Sequence, residues 1–198
     1  MKLLLCTLNK NKIKEISEVL KNTPINIITL FDLKDNEDVV EDGLTIEANA
    51  LIKAKHYGNK HQMLAIADDT ALEVDYLAGG PGVHTKRYEK TDELRNKKLI
   101  RELANTSNKK ARFRTVVCLY NPENKKEYYF EGIVNGLIVD EPRGNYGFGY
   151  DPIFYIKEKD KTMAELTVEE KNEISHRGKA IKLFGEFINE NINNIWYP

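Results

Sequence analysis

The chain has 198 residues, 41% of them hydrophobic and 31% charged, with a formal net charge of −1. This is an ordinary soluble globular composition, long enough for one domain with a real core, and it offers no generalised attraction to nucleic acid or anionic lipid. No apolar run reaches the length of a membrane span, the N-terminal Lys2–Cys6 run is too short for a signal peptide, and two isolated cysteines, Cys6 and Cys118, make neither a disulfide framework nor a zinc site. The expectation is a cytoplasmic protein.

Lys2–Cys6 reads as a first buried strand, followed by a polar, basic loop Thr7-Leu8-Asn9-Lys10-Asn11-Lys12. A helix should follow, because Ile13, Ile16, Val19 and Leu20 fall on one face. Free N–H groups at a helix start beside Lys10 and Lys12 suit phosphate oxygens, although a solvated lysine cluster is the commoner explanation of such a pattern. Pro24 closes the helix and Ile25–Leu30 reads as a second strand. Asp32–Asp42 is an acidic connector carrying Glu37, Asp38, Glu41 and Asp42, and Thr45 caps a helix from Ile46 to about Tyr57. Asn49 and Lys53, four apart, share a face of that helix. His56 and His61 near its end lack a zinc-ligand set and read as surface residues.

Leu64–Val74 carries the most informative pair, Asp68-Asp69. A short apolar run bounded by polar residues reads as a buried strand, with the acids where it leaves the core. Adjacent strand residues point to opposite faces, so the two carboxylates should not share a role. One can face a cleft and hold a divalent cation while the other is tied up by backbone or a basic neighbour. A polar strand end is the plain reading of this stretch taken alone.

Leu77–His84 contains the turn Gly79-Gly80-Pro81-Gly82. Thr91 then caps a helix whose buried face should include Leu94, Leu99, Ile100 and Leu103. Phe113–Tyr120, Tyr128–Phe130 and Gly132–Val139 read as strands, the last interrupted by Gly136. Phe148-Gly149-Tyr150-Asp151-Pro152 follows a loop, and either of its rings could stack on a base or pack in the core. Thr167-Val168-Glu169-Glu170 is a capping box that delivers Lys171-Asn172 and Ser175-His176-Arg177. A closing helix buries Ile181, Phe184 and Ile188. The order of elements implies an α/β fold of mixed α+β character: a single domain over residues 1–198, with a central mixed sheet flanked by helices and a cleft between two lobes.

Six motifs taken together resemble one family. Thr7–Lys12, Glu41-Asp42-Gly43-Leu44-Thr45, Ala67-Asp68-Asp69-Thr70, Gly79–Val83, Phe148–Pro152 and Glu170-Lys171-Asn172-x-x-Ser175-His176-Arg177 occur in the order seen in the inosine/xanthosine triphosphate pyrophosphatases, over nearly the whole chain. Three positions depart from that family's pattern. Leu8 and Ala71 stand where it usually has glycine, and Ala48 where it usually has glutamate. A bulky residue at position 8 restricts close backbone approach and positive φ.

The resemblance implies a purine nucleoside triphosphate substrate (ITP, dITP or XTP), Mg²⁺ as cofactor, a monophosphate and pyrophosphate as products, and a homodimer, with no nucleic-acid or membrane partner. By the same resemblance Asp69 is a metal ligand and the water-activating base, Glu41 a second carboxylate ligand and Asp68 a supporting one. Thr7, Leu8, Asn9, Lys10, Asn11, Lys12 and Lys53 hold phosphates, and Thr70 donates to the nucleotide. Phe148 stacks on the base, Gly149, Tyr150 and Asp151 complete its wall, and Lys171, His176 and Arg177 donate to the keto oxygen at position six. Adenine's amino group would leave such donors unpaired, at about 1–3 kcal/mol each. A binding-only sensor, motivated by Leu8 and Ala71, is one alternative function; a related pyrophosphatase acting on pyrimidine or methylated nucleotides is another, although the Phe148–Asp151 and Lys171–Arg177 sets match the purine family better. A nucleic-acid module built on the basic loop and the aromatics is a third reading, which the near-neutral charge opposes.

Overall fold

The computed structural model describes residues 2–196, with side chains through Asn191. Its elements are β1 (Lys2–Leu5), α1 (Lys10–Leu20), β2 (Asn26–Thr29), α2 (Ile46–His61), β3 (Ala65–Val74), β4 (Pro81–Gly82), α3 (Asp92–Glu102), β5 (Lys110–Tyr120), β6 (Glu127–Ile138), β7 (Phe154–Ile156), β8 (Lys161–Thr162), α4 (Val168–Ile174) and α5 (His176–Trp196). The hydrogen-bonded strand order is β2-β1-β3-β5-β6-β7-β8, with β4 paired to β3. The pairs β1–β2 and β1–β3 are parallel, whereas β3–β4, β6–β7 and β7–β8 are antiparallel, so the sheet is mixed. No helix among the described residues is long and apolar enough to cross a membrane.

The chain parts into two compact units. The first gathers the residues up to Asp69, Thr115–Gly132 and the chain from Arg177 onward; the second holds Thr70–Arg114 and Ile133–His176. In the first unit, strand alternation builds two separate cores. Leu3, Leu5, Leu64, Ile66, Val117 and Leu119 pack with Ile16 and Leu20 of α1 and Ile181, Phe184 and Ile188 of α5. Leu4, Cys6, Ala65, Ala67, Cys118 and Tyr120 pack with Ala50, Ala54 and Tyr57 of α2. Within this unit the period of two thus sends Leu64 and Ile66 toward α1 and α5, and Ala65 and Ala67 toward α2.

The second unit has its own core, in which Leu72 and Val74 of β3, Leu99 and Leu103 of α3, and Phe113, Ile138, Tyr150, Ile153 and Phe154 come together.

Four expectations are corrected. The acids Asp68 and Asp69 are not at a strand end: β3 runs on to Val74, because its second half pairs with β4 at Leu72–Gly82 and Glu73–Pro81. Gly136 does not interrupt a strand, since β6 is continuous from Glu127 to Ile138. Its glycine answers crowding instead, for a Cβ there would lie 2.6 Å from both the Phe154 ring and the Tyr155 carbonyl oxygen.

Leu94 is 46% exposed rather than buried. The α3 stripe that faces inward runs through Asn96, Leu99 and Leu103 at helical spacing, and Leu94 lies off it. His56 and His61 are half-buried rather than simply on the surface: His61 lies on the four residues by which α2 extends past Tyr57, and the two rings meet the connector's acids Glu37 and Asp35. His61 Nε2 lies 2.7 Å from Asp35 Oδ2, and the His56 ring meets Tyr57 edge-on at 5.0 Å.

Candidate active site

Two constellations emerge, one in each unit. In the first, Asp68 and Asp69 sit side by side on β3 yet meet different helices. Asp68 is 2% exposed. Its Oδ2 accepts from Arg177 Nε at 3.1 Å and lies 3.0 Å from Lys12 Nζ. Arg177 also reaches Glu15 Oε2 at 2.5 Å, so α1 and α5 supply both cations and one further buried acid. Burial alone would raise the Asp68 pKa, but Lys12, Arg177 and Lys53 outweigh it and hold the carboxyl well below the usual carboxylate range. Its second oxygen, Oδ1, is buried with no hydrogen-bond partner among the described residues.

Asp69 faces α2. Asn49 Nδ2 donates to its Oδ2 at 3.0 Å, and Lys53 Nζ stands 3.9 Å from its Oδ1. The same ammonium pairs with Glu41 Oε2 at 2.9 Å and donates to the Asp68 carbonyl at 2.7 Å. Burial raises the Asp69 pKa against the pull of Lys53 and Lys12, and the like charge of Glu41 adds to the rise. Lys53 moves the other way: burial would lower its pKa, but Asp69, Glu41 and Asp68 prevail and keep the ammonium charged. Burial lowers the Lys12 pKa, with Asp68 opposing.

The first loop prepares the start of α1. Asn9 is its N-cap, and Asn9 Oδ1 accepts from the Asn11 and Lys12 N–H groups at 2.9 and 3.3 Å. Thr7 Oγ1 accepts from the Asn9 N–H at 3.2 Å. Lys10 is exposed, its Nζ 5.9 Å from the centroid of the Phe31 ring. Leu8 needs no positive φ: the non-glycine residues that adopt one are Lys34, Gln62, Ala78, Lys125 and Asp160. The Leu8 side chain packs, half-buried, against the core beneath α2.

In the second unit, Asp151 and Lys171 form a pair at 2.6 Å, each 3% exposed. Asp151 Oδ2 also accepts from the Phe148 N–H at 2.8 Å, and Lys171 Nζ lies 5.0 Å from the centroid of the Phe148 ring. Phe148 itself is half-buried. His176 stacks on Phe113 at 4.6 Å. Tyr150 is a core residue whose hydroxyl donates to the Thr85 carbonyl at 3.1 Å. Thr70 is half-buried on β3.

The structure therefore brings Lys12, Glu41, Lys53, Asp68, Asp69 and Arg177 into the first constellation, and Phe148, Gly149, Asp151 and Lys171 into the second. Arg177, expected alongside Lys171 and His176, instead has two carboxylates on its guanidinium.

Sequence reasoning missed Asn49, which is 1% exposed and uses both ends of its amide: Oδ1 accepts from the Gly43 N–H at 2.8 Å while Nδ2 holds Asp69. Its place one turn before Lys53 was the available signal. Glu15, the second partner of Arg177, carried no comparable one.

Oxygen donors around Asp69 suit a hard divalent cation. Among the described residues no group of three or more His, Cys, Asp and Glu is placed to hold a metal ion. The Lys53 ammonium, lodged between Glu41 and Asp69, marks a place where two carboxylates already hold one positive charge.

A family model described as "Ham1 family" matches residues 3–187. The chain is 43% identical over 192 residues to the dITP/XTP pyrophosphatase of Geobacter sulfurreducens, covering 94% of this chain and 96% of that protein. It is 44% identical over 193 residues to the dITP/XTP pyrophosphatase of Thermoanaerobacter pseudethanolicus, covering 95% and 96%. Among solved structures, a HAM1 protein from Coxiella burnetii has a TM-score of 0.87 at 37% identity, covering 96% of this chain and 99% of that one. The Staphylococcus aureus Ham1 protein has a TM-score of 0.85 at 37% identity, covering 96% and 100%. With a family match spanning most of its length and relatives this similar, the chain belongs to the Ham1 family.

Proposed function

We propose that this chain hydrolyses deaminated purine nucleoside triphosphates, dITP, ITP and XTP, to the monophosphate and pyrophosphate, and so cleanses the nucleotide pool. The names of its relatives support the reaction class. The observation that carries the reading is the division of labour on β3, where one carboxylate is neutralised by buried cations and its neighbour is raised in proton affinity beside a lysine and an amide. We further infer that the chain works as one domain on free nucleotides rather than nucleic acid, as a cytoplasmic homodimer.

Asp69 and Glu41 would hold Mg²⁺, with Asp68 in support. When bound, the ion supplies charge neutralisation to the triphosphate and its leaving group. Asp69 takes the proton of the attacking water as its oxygen bonds to the α-phosphorus, and the α–β bridging oxygen departs with pyrophosphate. A carboxylate whose pKa is raised is a better proton acceptor than an ordinary one. Lys53 and Lys12 counter the phosphate charge, and the α1 start, with Thr7, Leu8, Asn9, Lys10 and Asn11, receives phosphate oxygens.

In the second unit, Phe148 offers its face to the purine, with Gly149, Tyr150 and Asp151 building the wall behind it. Lys171 and His176 are the donors for the keto oxygen. Thr70 donates to the nucleotide. Arg177 serves through Asp68 rather than through the base.

The test is a pyrophosphate-release panel with ITP, XTP, GTP and ATP, with and without Mg²⁺, for the native chain and Asp69→Asn. Release from ITP and XTP that requires the metal and is lost in the variant is expected. Equal hydrolysis of ATP and ITP would remove the keto-recognition argument. Tight ITP binding without release would leave the binding-only sensor.

A further inference from the structure

Gly149 lies within the aromatic segment, and a single helix holds both of its polar backbone groups. Its N–H donates to Asp92 Oδ2 at 2.8 Å, and its carbonyl accepts from Asn96 Nδ2 at 3.1 Å. Asp92 and Asn96 are four apart on α3 and continue into Leu99 and Leu103, so one stripe is polar where it meets Gly149 and apolar where it enters the core. Gly149 has φ +64°, while a Cβ there would meet nothing within 4 Å. The demand for glycine at 149 is thus conformational rather than spatial.

The two holders are themselves fixed. Arg95 makes an ion pair with Asp92 and donates to the Lys86 and Glu89 carbonyls at 2.7 and 3.0 Å. Asn96 is 6% exposed. On either side of Gly149 the segment is pinned again, by the Phe148 N–H on Asp151 and by the Tyr150 hydroxyl on the Thr85 carbonyl. Thr85 in turn accepts from the Leu72 N–H of β3 at 2.8 Å. The Phe148 ring therefore extends from a segment held at three successive residues, through backbone groups at 148 and 149 and through the side chain at 150.

We propose that Asp92 and Asn96 are positioning residues for base recognition: by gripping the Gly149 backbone from both sides they set the pose of the Phe148 ring. This rests on the reading of Phe148 as the platform for the purine. The two residues act through Gly149, and their loss should be felt at the base while the triphosphate end is untouched. A merely structural role would weaken both ends together.

The experiment compares the native chain with Asp92→Ala, Asp92→Asn, Asn96→Leu and Asn96→Asp. It reads KM and kcat for ITP and ATP by pyrophosphate release, inhibition by tripolyphosphate, and thermal unfolding. Asp92 carries the cleanest test, because its side chain is 48% exposed and its truncation leaves the core intact. Asp92→Ala should raise KM for ITP by about ten-fold, the scale of one lost hydrogen bond to a charged group. The change in kcat should be smaller, and the ITP-over-ATP preference should fall.

Inhibition by tripolyphosphate, which has no base, should stay as in the native chain. Asp92→Asn keeps an acceptor for the Gly149 N–H and should recover most of the loss. Asn96→Asp sets an acceptor against the Gly149 carbonyl and should be at least as damaging as Asn96→Leu.

Unchanged KM and unchanged preference in folded Asp92→Ala would overturn the proposal. So would an equal loss of ITP and tripolyphosphate. A native chain that neither binds nor cleaves ITP would overturn the platform reading itself, and this proposal with it.

Discussion

Arg177 Nε lies 3.1 Å from Asp68 Oδ2, joining residues 109 apart in the chain, while the other arm of the same guanidinium reaches Glu15. All three side chains are buried, and with Lys12 3.0 Å from Asp68 two cations face two acids there. Removing one partner of such a group leaves the remaining charges without compensation. Arg177→Met should therefore destabilise the chain by about 3–5 kcal/mol, read as a shift in the urea midpoint at neutral pH. Arg177→Lys keeps the charge but not a planar fork able to serve two carboxylates, and should fall between. A methionine variant as stable as the native chain would show that the network contributes nothing net.

The same network sets an acid dependence. Asp68 has a folded pKa depressed below its unfolded value, since Lys12, Arg177 and Lys53 overcome the opposing effect of burial. A depressed carboxyl contributes stability that is present above the unfolded pKa, about 3.9, and lost as pH falls from there toward the folded value. The native chain should therefore lose stability steeply below about pH 4. Asp68→Asn should start less stable at neutral pH and decline with a shallower slope. Parallel declines in urea titrations of the two proteins would assign the acid sensitivity to other groups.

The separation of Asp68 from Asp69 was legible because a strand has a period of two and nothing overrides it. What each acid would meet was not, because Arg177 and Glu15 are brought to Asp68 by the packing of α1 and α5, far apart in sequence. Gly136 misled for a similar reason. Read locally, it breaks a strand; in the fold it makes room for the Phe154 ring, a contact no local pattern records. Leu94 is apolar but lies off the inward α3 stripe, which runs through Asn96, Leu99 and Leu103 and is masked in the sequence by its polar member. The family motifs singled out candidate residues, but not which of them pair with each other.

Asn49 holds two elements at once, and its amide orientation is fixed by chemistry: the Gly43 N–H can only donate and the Asp69 carboxylate only accept. Asn49→Leu should cost about 1–3 kcal/mol, because a buried N–H loses its acceptor. The larger effect should fall on turnover. With Oδ2 released, Asp69 is no longer held for the proton transfer proposed for it, and on that proposal kcat for ITP should drop roughly 10- to 100-fold, the scale of a misplaced catalytic group. Asn49→Asp keeps an acceptor for Gly43 but sets a like charge beside Asp69, so it should retain more stability than leucine while remaining as poor in turnover. A leucine variant that loses stability but keeps its kcat would reduce Asn49 to a packing residue.

Lys171 offers the sharpest test of base selection. Its ammonium is 2.6 Å from Asp151 and 5.0 Å from the centroid of the Phe148 ring, so a single residue joins the proposed donor row to the proposed stacking platform. Lys171→Met removes that donor and strips Asp151 of a buried partner, which should cost about 3–5 kcal/mol in stability. It should also narrow the preference for ITP over ATP, since a site with fewer keto-directed donors has less to lose when adenine's amino group enters. The expected narrowing is about ten-fold in the ratio of kcat/KM values. Lys171→Arg restores the charge and separates the two effects: stability should return, while the altered reach of the guanidinium should leave selectivity impaired. If methionine at 171 weakened ITP and ATP equally, the lysine would be a strut beneath Phe148, and discrimination would have to lie with His176.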